Sequence, residues 1–340
     1  MSIEIISTMH KITYFQRKRR KVANFSLEQV FEDLIGRVKN KYEIQQKGMP
    51  YVSSGFFRRL MNVIDSVFYQ GDVNHITGDI NYVALLLKKR KTISTILDLG
   101  ILDRTSGIKR RILLDIWFKW PVKRSKWVTV ISEATKQDLL KNVKCNSDKI
   151  KVVYVPISEG FKRVNKEFDR NCPTILQIGA ASHKNLKGLI IAVKGISCKL
   201  LIIGRISESN LTLLNEYDIQ FENKVGLPFE DVIHSYVSSD ILFFASTFEG
   251  FGMPIIEAQT IGRPVITSNL LSMPEVGGDA CVYVDPLNIM EIKVAISKII
   301  NEDGMRKELI DKGFENVKRF KGDKIAAQYE ELYRDILENQ

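Results

Sequence analysis

Two glutamates, Glu249 and Glu257, bracket a Gly-Phe-Gly-Met-Pro turn in this chain of 340 residues. Residues 240–245 before them form a short apolar run typical of a buried parallel strand, and Pro254 suits the first position of a helix. A helix that starts after a glycine turn presents peptide N–H groups and the positive end of its dipole to anions. The N–H groups concerned belong to four consecutive residues, Gly250, Phe251, Gly252 and Met253. The turn therefore predicts a binding site for a diphosphate.

The two glutamates predict what lies beside the diphosphate, because a carboxylate is favourable there only where it faces neutral hydroxyl groups. Glu257 lies about one turn inside the predicted helix, and helical side chains lean toward the N-terminus, so its carboxylate can reach the turn. A carboxylate that accepts two hydrogen bonds from a diol binds ribose in dinucleotide folds. We therefore expect Glu257 to bind ribose and Glu249 to bind donor sugar hydroxyls. Most helical glutamates are only solvated, but the apolar surroundings and the glycine turn favour binding here.

A basic residue, Lys184, follows a second glycine turn at Gly179 and opens another predicted helix. Its ammonium can neutralise the diphosphate whose other side meets the 250–253 turn. Arg205, directly after the next predicted strand, is a further candidate for this anion, whereas Arg263 is expected to serve the structure. Since most lysines are solvated surface, the position after a strand and a turn carries the prediction for Lys184.

At these residues the chain resembles the family-4 retaining glycosyltransferases, which carry two glutamates with seven residues between them around a Gly-Phe-Gly-Leu-Pro-like turn. The matching stretch here is EGFGMPIIE, residues 249–257. Four further segments resemble the same family, residues 175–189, 262–268, 273–280 and 284–286. The resemblance is strong from about Pro173 to the C-terminus and weaker before it. It implies the GT-B fold, an α/β architecture of two Rossmann-like domains that face each other across a cleft.

The length and the resemblance together predict two domains and a returning helix. At one to two hundred residues per domain, a chain of 340 residues suffices for about two. We expect an acceptor-binding domain over residues 1–165, a donor-binding domain over 166–325, and a C-terminal helix over 326–340 that packs back on the first domain. The loop composition of residues 158–173 predicts the hinge.

Strands and helices alternate in the second half, which predicts a parallel sheet covered on both faces. The expected strands are residues 174–178, 199–203, 219–225, 240–245, 264–267 and 281–284. Ligands of such sheets bind beyond the strand carboxyl ends, where the topology switches, and Gly179 and Glu249 follow strand ends. The first half is less regular, and periodicity leaves three segments open between strand and helix, residues 72–76, 82–87 and 92–98.

The chemistry of a nucleotide-sugar donor follows from charge. Cleavage at the anomeric carbon leaves positive charge on the sugar and negative charge on the diphosphate, so an enzyme gains most by stabilising the departing phosphate. Lys184 and the 250–253 turn would do this. The chain has no Asp-x-Asp pair, which predicts a metal-independent transfer with no cofactor besides the donor substrate. The resemblance implies transfer with retention to a glycan or lipid-linked acceptor in cell-surface polysaccharide synthesis, such as O-antigen, capsule or exopolysaccharide.

Three features depart from the family pattern. Asp98 is kept at a predicted strand end, but Leu97 stands where the family has a catalytic-pocket histidine. His75, at another predicted strand end, is a candidate replacement, although a lone histidine is more often structural. The basic run RKRRK, residues 17–21, replaces the glycine-rich first turn and could hold an acidic acceptor or be solvated. Ala180 replaces a phosphate-binding arginine of some members.

Positive charge is concentrated in the first half. Residues 1–170 hold 33 Lys and Arg against 17 Asp and Glu, a net of +16, and the remainder holds 17 against 23, a net of −6. All three tryptophans lie in residues 108–127 with seven basic residues, Lys109, Arg110, Arg111, Lys119, Lys123, Arg124 and Lys126. A basic and aromatic mixture is typical of an interfacial helix. We expect either contact with an anionic membrane surface or a core helix with a basic outer face.

Two other functions stay open at this point. The basic half could serve a non-enzymatic polyanion or nucleic-acid binder, since attraction to phosphates needs only Lys and Arg. The chain has no nucleic-acid motif and its acidic second half would hinder wrapping, so no nucleic-acid partner is expected. A phosphorylase or synthase on the same architecture is the other alternative.

The sequence predicts a cytoplasmic protein, peripheral on the inner face of the plasma membrane if it meets lipid. No apolar stretch approaches the roughly eighteen residues of a membrane span. Three N-terminal apolar residues, Ile3, Ile5 and Ile6, precede the basic run, the reverse of a secretory signal. The four cysteines are scattered, without Cys-x-x-Cys pairs, which is typical of reduced thiols rather than a zinc site or disulfide framework.

Overall fold

A computed structural model describes residues 9–18 and 26–339. The chain divides into two compact units, unit 1 with Met1–Pro156 and Gly322–Gln340, and unit 2 with Ile157–Lys321. The expected domain ends at residues 165 and 325 lie nine and four residues further along the chain. Some predictions lie outside the described residues, namely those on Ile3, Ile5, Ile6, Arg19, Arg20 and Lys21.

Each unit contains one six-stranded sheet. The strands of unit 1 are β1 (Lys11–Gln16), β2 (Glu43–Gly48), β3 (Val73–Thr77), β4 (Thr92–Ile96), β5 (Trp127–Val130) and β6 (Ile150–Val152). Those of unit 2 are β7 (Thr174–Ile178), β8 (Lys199–Ile203), β9 (Gln220–Lys224), β10 (Ile241–Phe244), β11 (Val265–Ser268) and β12 (Val282–Val284). Neighbouring strands pair in parallel throughout both sheets. The predicted α/β fold class with parallel sheets is confirmed.

Helices connect the strands, as parallel pairing requires. Those of unit 1 are α1 (Ser26–Val38), α2 (Phe56–Val67), α3 (Gly100–Asp103), α4 (Gly107–Leu114), α5 (Trp120–Arg124), α6 (Glu133–Asn142) and the C-terminal α14 (Gly322–Glu338). Those of unit 2 are α7 (Leu186–Ala192), α8 (Glu208–Glu216), α9 (Phe229–Ser238), α10 (Met253–Ile261), α11 (Met273–Gly277), α12 (Ile289–Asn301) and α13 (Asp303–Asn316). A π-helical segment, Asp115–Lys119, joins α4 to α5.

Helix α14 completes the core of unit 1, although it follows unit 2 in sequence. Its apolar face packs with α1 and with the sheet residues Ile12 and Tyr14. Tyr333 is fully buried and its hydroxyl hydrogen-bonds the Tyr14 hydroxyl at 2.9 Å, while Trp127 Nε1 donates to Asp335 at 2.7 Å. The C-terminal helix therefore belongs structurally to the N-terminal domain.

The sheet of unit 2 has the order β12-β11-β10-β7-β8-β9. The chain leaves β7 toward β8 and β9, and then returns to place β10 on the other side of β7. The connections after β7 and β10 therefore diverge at the carboxyl ends of two adjacent strands, which is the position of the ligand crevice in open parallel sheets.

The segment 158–173, expected to be a hinge, packs onto unit 2. Phe161 is buried, and its ring meets Phe229 and Tyr236 edge to face with centroids 5.7 and 5.5 Å apart. The Val164 N–H donates to the Ile261 carbonyl at 3.1 Å. Loop composition does not reveal this, because a single buried aromatic ring anchors the segment.

Candidate functional site

The turns after β7 and β10 are bound to each other at the switch point of unit 2. The Thr247 N–H donates to the His183 carbonyl at 2.8 Å. Gln177, the buried penultimate residue of β7, donates through Nε2 to the carbonyls of Gly179 and Lys184, both at 3.0 Å. These bonds fix the β7 turn, and with it Lys184, against the loop that carries Glu249.

Lys184 and Glu249 form an ion pair at this point. Lys184 Nζ lies 2.6 Å from Glu249 Oε1, and the two side chains are only 20% and 15% exposed. The lysine stem crosses directly over Gly179, where an added Cβ would lie 3.0–3.3 Å from three side-chain carbons of Lys184. Gly179 has φ +86°, a conformation that favours glycine. Glycine is therefore required here both for the turn and for the path of the lysine.

Glu257 lies on the first turns of α10 and receives a hydrogen bond from the hydroxyl of Tyr236, a fully buried residue of α9. Burial raises the pKa of the Glu257 carboxyl to about 7, while the Tyr236 hydrogen bond and the positive charge of Lys184 act in the opposite direction. Near neutral pH this carboxyl is therefore divided between its protonated and charged forms. Lys184 electrostatically links both glutamates, because it also pairs with Glu249.

The glycine turn has the geometry predicted for the start of a helix. Helix α10 begins at Met253 with Pro254 in its first turn, and Gly252 before it is left-handed, with φ +112°. The Ser272 hydroxyl donates to the carbonyls of Phe251, at 2.8 Å, and Glu249, at 3.2 Å. Pro254 carries no N–H group and the Ile255 N–H donates to the Gly252 carbonyl at 3.0 Å, so anion binding at α10 stays a prediction for the N–H groups of the 250–253 turn.

Two polar side-chain atoms at this crevice are buried without a hydrogen-bond partner among the described residues, Gln177 Oε1 and Ser246 Oγ. Such atoms are rare in proteins, and a catalytic role or a bound water or ion is among the explanations for them. Arg205 is exposed beyond the end of β8, and its role in anion binding stays a prediction. Arg263 is buried and donates to the carbonyls of four residues, Tyr236, Val237, Val164 and Gly262. It therefore has the structural role that was expected of it.

The two candidates in unit 1 have different environments. His75 is completely buried, with Nδ1 2.8 Å from the Tyr333 hydroxyl and Nε2 2.8 Å from Thr95 Oγ1. Burial lowers the pKa of its imidazole to about 3. The position corrects the catalytic alternative for His75, because a neutral core imidazole with both nitrogens bonded cannot touch a substrate. Asp98 is exposed after β4 and accepts from the Gly100 N–H at 2.8 Å.

The sequence analysis did not identify three residues whose hydrogen bonds support the site, namely Tyr236, Gln177 and Ser272. Each lies in an ordinary context for a strand or helix, Tyr236 within the apolar segment of α9 and Gln177 within β7. Only the packing of α9 against α10 brings the Tyr236 hydroxyl to Glu257. No periodicity or motif signals such a contact.

The described residues contain neither a metal-binding cluster nor a membrane-spanning helix. Within residues 9–18 and 26–339, no group of three or more His, Cys, Asp and Glu residues could hold a metal ion. No helix of the described chain is long and apolar enough to cross a bilayer. The metal-independent reaction stays a prediction.

The chain is similar to glycosyltransferases of known sequence. Residues 159–316 match the family described as Glycosyl transferases group 1. O-antigen chain mannosyltransferase B of Escherichia coli is 33% identical over 108 residues, which are 32% of this chain and 28% of that protein. O-antigen chain mannosyltransferase RfbU of Salmonella typhimurium is 27% identical over 235 residues, 64% of each protein. Both alignments span less than two thirds of these relatives.

The fold of this chain is also similar to the folds of solved structures. The structure of Anabaena Alr3699/HepE in complex with UDP and glucose has a TM-score of 0.77 and 13% identity, over 95% of this chain and 99% of that one. At this identity the likeness shows the fold alone, which is GT-B. The matched residues 159–316 lie within unit 2.

Proposed function

We propose, from the match of residues 159–316 to glycosyl transferases group 1, that the chain transfers a sugar from a nucleoside diphosphate sugar to a glycan or lipid-linked acceptor. The observation that carries this proposal is the cluster of Lys184, Glu249 and Glu257 at the switch point between β7 and β10. A cation between two carboxylates, beside a helix start, matches a donor that has two phosphates and several hydroxyl groups.

Each group has a distinct part in donor binding. The α10 start and the Lys184 ammonium bind the diphosphate, with Gly250 and Gly252 allowing close approach to the main chain. Glu257 accepts hydrogen bonds from the ribose diol, and Glu249 accepts from hydroxyls of the donor sugar. Lys184 can contact Glu249 and a phosphate together, because an ammonium has three donors. It thereby reduces the repulsion between the carboxylates and the donor.

In the transfer step the bond between the anomeric carbon and the diphosphate oxygen breaks, and a bond to the acceptor oxygen forms. Negative charge grows on the departing phosphate, where Lys184 and the N–H groups of the 250–253 turn stabilise it. The resemblance supports attack from the face that the diphosphate leaves, with retention and with the phosphate accepting the acceptor proton. No step needs a divalent cation, since the ammonium supplies the charge.

The test is release of nucleoside diphosphate from a panel of donors, beginning with GDP-mannose and UDP-glucose, in the presence of lipid-linked or glycan acceptors. We expect one donor to be consumed, with EDTA without effect. Lys184→Met should lower turnover by a factor of about a hundred or more, as loss of an oxyanion-stabilising donor does. Lys187→Met, an exposed lysine of α7, is the matched control. Full turnover by Lys184→Met would refute the role of the cluster.

Assembly of a cell-surface polysaccharide is the process that the relatives support. Both curated relatives described above carry the name O-antigen chain mannosyltransferase. Such glycans are built on lipid carriers, so the enzyme needs access to a cytoplasmic membrane face. We place the membrane contact on unit 1, whose sequence is basic and suits an anionic lipid surface.

The 108–127 segment provides only part of that contact. Trp117, Phe118 and Leu113 are buried in the core of unit 1, whereas Ile108 is 79% exposed and Trp120 is about half exposed. The segment is therefore largely a core helix, which was the alternative weighed against a membrane contact. Its exposed apolar side chains are too few to bind a bilayer by themselves.

Helix α2 presents the stronger apolar surface, because two of its three buried positions are polar and most of its apolar side chains face outward. The buried positions are Asn62, Val63 and Ser66. The apolar residues on the outer side are all exposed, Phe56, Phe57, Leu60, Met61, Ile64 and, directly after the helix, Phe68. Large exposed apolar patches mark interaction sites, and the adjoining exposed Arg58 favours anionic headgroups. We assign the lipid contact to this surface, the α2 face.

A further inference from the structure

A cavity of about 720 Å³ in unit 1 is lined by twelve residues, of which six are lysines and none is acidic. The lysines are Lys89, Lys119, Lys123, Lys141, Lys144 and Lys149. They come from the segment before β4, from the π-helical segment and α5 before β5, and from the end of α6 and the loop before β6. The cavity therefore lies at the amino ends of three strands, at the opposite edge of the sheet from the strand carboxyl ends.

Most of these lysines form no ion pair with a carboxylate of the described residues, although the charge of Lys141 acts on the nearby Asp138 carboxyl. Lys119 pairs with Asp115 at 2.8 Å, and Lys149 donates to the Val122 carbonyl. For the other four lysines, no carboxylate among the described residues lies within ion-pairing distance. Burial, together with the charge of Lys89, lowers the pKa of the Lys149 ammonium to about 8. The cavity thus gathers like charges that repel one another.

Helix ends explain only part of the arrangement. Lys123 and Lys141 lie in the last turns of α5 and α6, where a cation stabilises the helix dipole. Lys144 lies in the loop after α6, and Lys89 is in the short turn before β4. A role at helix ends does not account for these two.

We propose that this lysine cavity binds a polyanion that carries two or more phosphate groups. The lining contains lysine and no arginine, and ammonium groups bind phosphate as point charges without the planar geometry that carboxylate recognition by arginine uses. The half-exposed Trp120 forms an apolar wall of the cavity, which suits a phosphorylated ligand with an organic part. The site lies at the amino ends of the strands and does not depend on the donor chemistry of unit 2. Such a ligand could be soluble or a lipid headgroup.

The test measures binding of inorganic tripolyphosphate by calorimetry and of vesicles containing anionic phospholipid by co-sedimentation. The variant is Lys123→Gln with Lys144→Gln, two exposed lysines from different segments. Its control is Lys39→Gln with Lys307→Gln, which removes the same charge from exposed positions outside the cavity and outside the 108–127 segment. We expect tripolyphosphate to bind about tenfold or more weakly to the cavity variant, and normally to the control.

Lys184→Met distinguishes binding at the lysine cavity from binding at the proposed donor site. This variant should leave tripolyphosphate binding to the cavity intact. Loss of vesicle binding in the cavity variant alone, with no tripolyphosphate binding by the wild type, would identify a lipid headgroup and support the site. Equal losses in the cavity and control variants, loss only in Lys184→Met, or no binding of either probe would overturn the proposal. Normal nucleoside diphosphate binding by the cavity variant would show that the two sites are independent.

Discussion

Replacement of Glu257 by glutamine should have opposite effects on stability and on donor binding. In the unfolded chain this carboxyl has an ordinary pKa near 4.5, and burial in the fold raises the pKa to about 7. Since the folded protein binds the proton more tightly, the stabilising contribution of this group is complete below pH 4.5 and is lost as the pH rises to 7. Glutamine resembles the protonated form and can still accept from Tyr236.

The size of the stability effect follows from the pKa shift. The difference between the two states corresponds to about 3 kcal/mol at pH 8 and less than about 1 kcal/mol at pH 5. Glu257→Gln should therefore unfold at a higher temperature than the wild type at pH 8, by roughly 6–12 °C. At pH 4.5 or below the two proteins should have similar midpoints. Glu216→Gln, an exposed glutamate of α8, should show no such difference.

Donor binding should change in the other direction. The ribose diol needs a charged acceptor, so Glu257→Gln should bind the preferred nucleoside diphosphate about 10- to 100-fold more weakly at pH 8. The ratio of the two Kd values should fall as the pH is lowered through 7 and approach one at about pH 5 and below, where wild-type Glu257 is almost fully protonated. Calorimetry at several pH values measures this ratio. Protonation of the ligand affects the Kd of both proteins equally and therefore cancels in the ratio. A variant that is less stable at pH 8, or a Kd ratio independent of pH, would refute the role of this carboxyl.

Two further predictions concern the lysine path and the α2 face. Gly179→Ala should lower donor turnover at least tenfold, because its Cβ would displace the Lys184 stem. The control is Gly195→Ala, where φ is also positive, at +79°, but nothing lies within 4 Å of the added Cβ. This control should lose stability without losing turnover per folded molecule. Phe57→Ser with Phe68→Ser, which changes two side chains 79% and 80% exposed, should abolish pelleting with anionic vesicles at low salt. The control is Leu287→Ser with Met290→Ser, which changes two exposed apolar side chains of unit 2 and should pellet normally. If the α2 variant still pelleted, the assignment of the lipid contact to the α2 face would be wrong.

The second half of the chain was predictable because its local signals agree with its fold. The strands Thr174–Ile178 and Lys199–Ile203 have the bounds that the sequence indicated. Buried parallel strands read as continuous apolar runs, and glycines and prolines mark the turns between them. The first half gave weaker signals. The segment 82–87, which periodicity left open between strand and helix, overlaps a 3₁₀ helix at Asn81–Leu85. Strand β2 is too polar to be recognised by an alternation of apolar and polar residues.

The inverted polarity of α2 explains why the sequence did not identify that surface. Its residues have the periodicity of an amphipathic helix, so its apolar side would be expected to face the core. In the structure Asn62 instead hydrogen-bonds the Tyr82 hydroxyl and the Tyr51 backbone inside unit 1. Periodicity shows that a helix has two faces, but only the packing shows which one is buried.

The sequence by itself was enough to predict the residues of the proposed donor site, since its motif residues are close along the chain or follow strand ends whose positions are forced by parallel pairing. The tertiary structure decided the charge state of Glu257, the core position of His75 and the lysine cavity. These depend on contacts between residues far apart in sequence, such as Tyr236 with Glu257 and Tyr333 with His75. Burial and the proximity of charges set a pKa and a binding surface, and neither property exists until the chain has folded.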